Sequence, residues 1–162
     1  MIKGYFIYPQ GYCQKIRNNS SHLNREIVSA GVILQLDKKI ILQLRDNKKG
    51  LVYPDMWGVF GGQVEEEECP SQTAVREIEE ELNITLIENE IKPFFEYDMP
   101  EGKGGNHLFL ADGKPHLEDL IVKEGQRAGI FSRKEMKDLP NLVPHLDKYF
   151  DILWNAIEER TL

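Results

Sequence analysis

The chain concentrates its acid in one place. Between Gly62 and Ile84 stand Glu65, Glu66, Glu67, Glu68, Glu77, Glu79, Glu80 and Glu81 against a single base, Arg76. That segment carries −7, which is the net charge of all 162 residues. The rest is neutral, because 27 acids less these eight leave 19, and 20 bases less Arg76 leave 19. Hard divalent cations take oxygen ligands, so such a concentration of carboxylates suits a cation site. From the charge alone, a solvated acidic helix is the favoured reading. An acidic balance argues against non-specific binding to nucleic acid or to an anionic membrane.

Spacing sharpens the picture. Pro70 suits the first turn of a helix that runs to about Leu82, and Asn83 suits a left-handed stop. At about 100° per residue from Ala74, the residues Val75, Ile78 and Leu82 fall in one apolar arc, and Glu77, Glu80 and Glu81 group on another side. Like charges three and four residues apart repel by roughly a few tenths of a kcal/mol per pair. Helix stability alone would not choose this arrangement, and a cation offsets it. Glu68 supplies a fourth carboxylate and Gly61-Gly62 supply free carbonyls, a set of oxygen donors suited to Mg²⁺. Arg76 is spaced to pair with Glu80 at i+4 and orient it. The two glycines also permit an irregular backbone and the close approach of a ligand.

The elements that must position these residues read as one α+β domain. Residues 1–26 form an irregular basic lead-in whose Tyr5-Phe6-Ile7-Tyr8 suits an edge strand, and the domain proper spans 27–162. Ile27 to Leu36 and Ile40 to Arg45 are β-branched runs around the polar turn Asp37-Lys38-Lys39, the pattern of a hairpin. Trp57 to Phe60 is a short apolar piece that leads into the two glycines. Ile91 to Tyr97 and Asn106 to Ala111 predict strands joined by the glycine-rich loop 98–105, with a further strand at Arg127 to Phe131. Ser132 and Glu135 have capping-box spacing for a short helix. A last helix starts near Pro144, with Leu146, Tyr149, Phe150, Leu153 and Ile157 on its buried face.

Gly62, Glu68 and Arg76-Glu77-Ile78-Glu79-Glu80-Glu81-Leu82-Asn83-Ile84 closely resemble the Nudix box, Gly-x5-Glu-x7-Arg-Glu-U-x-Glu-Glu-x-Gly-U, where U is a bulky aliphatic residue. Eight of the nine specified positions agree across the 23 residues from Gly62 to Ile84. The flanks are similar too, so the resemblance covers about residues 27 to 160. Three positions depart from the pattern. Asn83 replaces the final glycine, Phe60 stands where proline is common, and Cys69 stands where a Ser or Thr cap is common. None of these removes a ligand.

The resemblance implies a Nudix fold, an α/β/α sandwich around a mixed β-sheet. It implies a Mg²⁺-dependent hydrolase, with Mn²⁺ as a substitute, that cleaves the diphosphate linkage of a nucleoside-diphosphate-type substrate through metal-activated water. Nucleoside triphosphates, oxidised nucleotides and nucleotide sugars are the substrate classes. By the family pattern Glu77, Glu80 and Glu81 are the ligands, Glu68 is a further ligand or supports one, and the Gly61 carbonyl assists. Glu124 is the downstream candidate for the general base, although an ordinary loop carboxylate fits it equally. Arg45 resembles a phosphate contact, Asn141 resembles an asparagine that reads a purine edge, and Tyr97 offers a ring for a base. Each also has an ordinary reading, as a surface arginine, a loop amide and a core aromatic. His107, at a strand start, points towards the cleft, and no histidine has ligand spacing.

Two other readings stay open: a Nudix-fold nucleotide sensor without turnover, and an RNA cap pyrophosphohydrolase. Against the second, the neutral remainder of the chain offers no basic track for RNA. The expected partner is a small nucleotide, with neither nucleic acid nor membrane. A homodimer is compatible with the chain, but no feature sets the oligomeric state. Cys13 and Cys69 are too few and too far apart for a disulfide scaffold and read as reduced. No apolar run approaches the roughly 20 residues that span a bilayer. The N-terminus lacks a cleavable signal, so the cytoplasm is the expected compartment.

Overall fold

The computed structural model describes residues 4–9 and 22–160. Most of the basic lead-in, with Cys13, Lys15 and Arg17, lies outside the described residues.

The β-branched run in the middle of the sequence becomes the centre of the sheet. Strand β2 (Ile27–Leu36) turns at Asp37, which takes φ 53°, into β3 (Lys39–Leu44). On its other side β2 pairs in parallel with β7 (Gly105–Asp112), with Val32 opposite Phe109. Beyond β7 lie β6 (Lys92–Asp98) and then β1 (Tyr5–Ile7) at the edge. At the other end β8 (Arg127–Ser132) runs along β3, and the short β4 (Trp57–Gly58) meets the end of β3. Strand β5 (Phe60–Gln63) lies against β2. Only the β2–β7 pairing is parallel among these, which makes the sheet mixed.

Strand alternation sends side chains to two faces, and each face has its helix layer. Ala30, Val32, Leu34 and Ile41 meet Ala74, Ile78 and Leu82 of α1 (Pro70–Leu82) on one side. Ile33, Ile40 and Leu42 meet Met136 of α2 (Arg133–Lys137), Leu146 of α3 (Pro144–Lys148) and Leu153, Trp154 and Ile157 of α4 (Phe150–Glu158) on the other. This is the α/β/α sandwich. Each fully buried Ile or Leu stabilises it by about 1.5–3 kcal/mol relative to exposure, and Ile78→Ala would cost about 2–5 kcal/mol.

Local sequence explains the ends of α1. Its start is closed by Gln72, whose Oε1 accepts the Cys69 N–H at 2.9 Å, so the cap does not depend on a hydroxyl at position 69. Its end is Asn83 at φ 58°, ψ 27°, the left-handed stop the sequence predicts. The terminal helix differs from expectation. It is two pieces broken at Tyr149, where φ −103°, ψ 12° leaves the helical region. Both pieces bury their apolar side chains in the same core, so packing rather than helix continuity sets the path.

Candidate active site

The site is built where α1 crosses β5 and the end of β3. Gly61 and Gly62 make that crossing possible. A Cβ at Gly61, which sits at φ +152°, would fall 2.4 Å from the Ala30 carbonyl oxygen, and one at Gly62 would fall 2.2 Å from Glu77 Oε1. The box carboxylate and the β5 backbone therefore share space that no other residue would leave.

The three helix carboxylates have different surroundings. Glu81 is buried at 4% exposure, held on Oε1 by Gln43 Nε2 at 2.8 Å and on Oε2 by the Gly61 N–H at 2.9 Å. Burial, together with the charges of Glu77 and Glu124, pushes its carboxyl up to about 8 against the pull of those two donors. Glu77 is half-buried, and desolvation raises it although Arg76 Nη1 donates to its Oε1 at 2.7 Å. Glu80 lies outermost and exposed, with Arg76 Nη1 at 3.4 Å. The carboxylate face expected from the helical projection thus divides, with Glu81 turned inward against the sheet.

Arg76 does more than pair with Glu80. Its main partner is Glu68, met by Nε at 2.7 Å and Nη2 at 2.9 Å, and Nη2 also reaches the Gln63 carbonyl at 3.2 Å. Hydrogen bonds from Arg76 first, and from Thr73 Oγ1 and the Glu65 N–H as well, hold the Glu68 carboxyl down at about 2. The guanidinium in turn is raised above its ordinary value, chiefly by Glu68. A planar fork suits this bidentate clamp. It ties the loop before the helix to the helix and to β5.

Glu124 arrives from far along the chain. The N–H groups of Lys123 and Glu124 donate to the Glu81 carbonyl at 2.8 and 3.4 Å, and the Ile121 N–H to that of Leu82 at 3.0 Å. The last carbonyls of α1, which have no partner within a helix, thereby dock the 121–124 segment. Glu124 bears electrostatically on both Glu77 and Glu81.

The substrate-side candidates are less exposed than the sequence suggests. Arg45, at the end of β3, donates from Nε to the Val52 carbonyl at 3.0 Å. Asn141 Nδ2 donates to the Asp55 carbonyl, so both side chains fasten loop 46–56. Gln126 Nε2 adds bonds to the Arg45 carbonyl (2.9 Å) and Asp55 Oδ1 (2.5 Å). Tyr97 must be corrected. At 1% exposure it is stacked on His145 and packed against Tyr149, a core aromatic in this arrangement rather than a platform for a base. His107 is corrected as well, because at 0% exposure its imidazole lies buried between Tyr8 and Phe109. Gln43, Thr73, Gln126 and Asp55 were not among the sequence candidates. Gln43 carried a signal, since it breaks an apolar row of β3.

Residues 25–151 match the NUDIX domain family. The chain belongs to the Nudix family. Among solved structures, a MutT Nudix hydrolase from Burkholderia pseudomallei is 25% identical over 83% of this chain and 98% of its own, with a TM-score of 0.59. A MutT/Nudix family protein from Listeria innocua is 26% identical over 82% and 92%, with a TM-score of 0.55. A bifunctional NMN adenylyltransferase/ADP ribose pyrophosphatase from Francisella tularensis, complexed with AMP and a Mn ion, shares the fold at 19% identity and a TM-score of 0.63. This chain covers 82% of itself and 42% of that protein in the match. A comparison with curated proteins finds no match. The Nudix chain is a pyrophosphohydrolase of a family that acts on nucleoside diphosphate linkages and generally needs a divalent metal. Among the described residues no helix is long and apolar enough to cross a membrane.

The residues fit such a metal in donor chemistry. Glu77 fills the space a Cβ on Gly62 would need, and Glu81 is raised by burial first and then by the charges of Glu77 and Glu124, which places three carboxylates within electrostatic reach of one another. Among the described residues no three His, Cys, Asp or Glu side chains stand ready-made as a metal cage. Arg76, Gln43 and the Gly61 N–H each donate one hydrogen bond to a Glu77 or Glu81 oxygen, and each of those oxygens keeps a second lone pair that a cation can take.

Proposed function

We propose that this Nudix protein is a Mg²⁺-dependent pyrophosphohydrolase acting on the diphosphate linkage of a small nucleotide. The observation that carries the reading is the convergence of Glu77, Glu81 and the remote Glu124 beside Gly61-Gly62, with Glu80 at the outer edge. Glu77, Glu80 and Glu81 would hold a divalent cation, which would supply charge neutralisation for the phosphate oxygens and acidify water. Mn²⁺ has the same charge and oxygen preference and serves in its place.

The chain's own residues do the rest. Gln43 and the Gly61 N–H fix Glu81, and the Arg76 clamp fixes Glu77, so the ligand oxygens need little reorganisation. Glu68 is the counter-charge that keeps Arg76 in place, supporting the ligands through it. Glu124, on a segment docked to the end of α1, accepts the proton from the attacking water. Arg45 contacts phosphate from the end of β3 once loop 46–56 yields its Nε, and Asn141 contacts the base at the same loop. Divalent ions would offset the repulsion between the acidic chain and a polyanionic substrate.

The test is release of phosphate and pyrophosphate, with and without Mg²⁺, across nucleoside triphosphates, oxidised nucleotides, nucleotide sugars, dinucleoside polyphosphates and ADP-ribose. One class turned over well above the rest, only with metal, supports the reading. Silence across the panel with tight nucleotide binding contradicts it and leaves a nucleotide sensor.

A further inference from the structure

Strand β3 breaks its own pattern at Gln43. Alternation places residue 43 in the same row as Ile41, on the face that packs against Ile78 and Leu82 of α1. An apolar residue would be cheapest there, since a buried amide costs free energy unless its hydrogen bonds are met. Gln43 is only 2% exposed, and its Nε2 meets Glu81 Oε1 at 2.8 Å and the Val59 carbonyl at 3.5 Å. Its other end lies under the loop that carries Glu124. A Cβ at Gly125, which takes φ +86°, would fall 2.8 Å from Gln43 Oε1 and 3.0 Å from the Leu44 carbonyl oxygen. One side chain therefore touches a ligand carboxylate and the backbone beside the candidate base.

We propose that Gln43 is a positioning residue of this site, its buried amide aiming the Glu81 carboxylate at the cation and seating the 124–126 loop beside it. The inference rests on the hydrolase reading for its effect on rate, and on the carboxylate site alone for its effect on metal binding. Gln43 itself contacts neither cation nor substrate. Groups that orient metal ligands in this way typically account for 10- to 100-fold in metal affinity or activity.

The experiment compares wild type with Gln43→Met, which keeps length and removes the donor, and with Gln43→Glu, which keeps the shape and adds a like charge. For each, the shift in melting temperature on adding Mn²⁺ is measured, and for an active substrate kcat, substrate KM and the Mg²⁺ concentration for half-maximal rate. Gln43→Met is expected to raise that Mg²⁺ concentration roughly 10- to 100-fold and to lower kcat, with substrate KM little changed. Its Mn²⁺-induced shift should shrink in step, and Gln43→Glu should lose more. A role confined to packing predicts a lower melting temperature with wild-type metal dependence, and that result overturns the inference. Absence of any Mn²⁺ shift in the wild type overturns it also. If no substrate is turned over, the hydrolase reading fails by itself, and the Mn²⁺ shifts of wild type and variants still decide the role of Gln43.

Discussion

At the scale of single residues the account depends on three carboxylates in three environments. Glu81 is inside, Glu77 is half inside and clamped, and Glu80 is outside. Glu81→Gln keeps the shape and removes the charge, so it should lower kcat by at least about two orders of magnitude, in line with losing a preorganised charge contact. Circular dichroism should show an unchanged fold. Arg76→Lys makes a second prediction. Lysine cannot reproduce the bidentate hold on Glu68 or the bond to Gln63, so activity should fall although the charge remains. The residue types of the box were legible because carboxylates, arginine and glycine have few other reasons to recur at that spacing. The hydrogen-bond choices were not. Arg76 prefers Glu68, eight residues back, to Glu80, four ahead, because the loop before the helix folds over it, a tertiary fact that helical spacing does not contain.

At the scale of elements, α1 is set by its two ends. Asn83 adopts φ 58°, where a Cβ costs about 1–2 kcal/mol in most residues and glycine pays nothing. Asn83→Gly should therefore raise the melting temperature by about 2 °C, and Asn83→Ala should lower it by about 2–4 °C, as a kcal/mol converts for a chain of this length. Equal melting temperatures for the two variants would refute the assignment of the cap. The β2–β3 hairpin, the box helix and the β6 and β7 strands were readable from alternation and helical period, and their ends fall within a residue or two of the sequence reading. The break at Tyr149 was not. The apolar period runs through it unbroken, and the non-helical Tyr149 packs against Tyr97 and Phe95 there, contacts with a distant strand that helical period does not contain. Tyr97 and His107 were harder to read for a related reason, since alternation assigns each to a face but does not say that the side chain there is buried beneath its neighbours.

At the scale of the whole molecule the buried ionisable groups predict how stability and metal binding follow pH. Glu81 holds its proton up to about 8 when folded and releases it near 4.5 when unfolded, so between those values the unfolded chain binds fewer protons. Stability of the metal-free protein should fall as pH rises through that window. A cation needs the ionised carboxylate, so the rise in melting temperature caused by Mg²⁺ should be larger at about pH 9 than at about pH 6. The acid side has the opposite sign. Burial lowers His107 from 6.5 to about 3 and His145 to about 4, so their contribution is present above 6.5 and is lost as pH falls towards those values. His107→Phe, which keeps the stack on Tyr8 and Phe109, should flatten the acid limb of a melting-temperature profile. The most direct measurement of the central claim is the rate of pyrophosphate-bond cleavage at saturating Mg²⁺ on the best substrate of the panel, wild type beside Glu81→Gln. The account predicts metal-dependent turnover that the variant all but loses while remaining folded. Equal rates in the two proteins would contradict it.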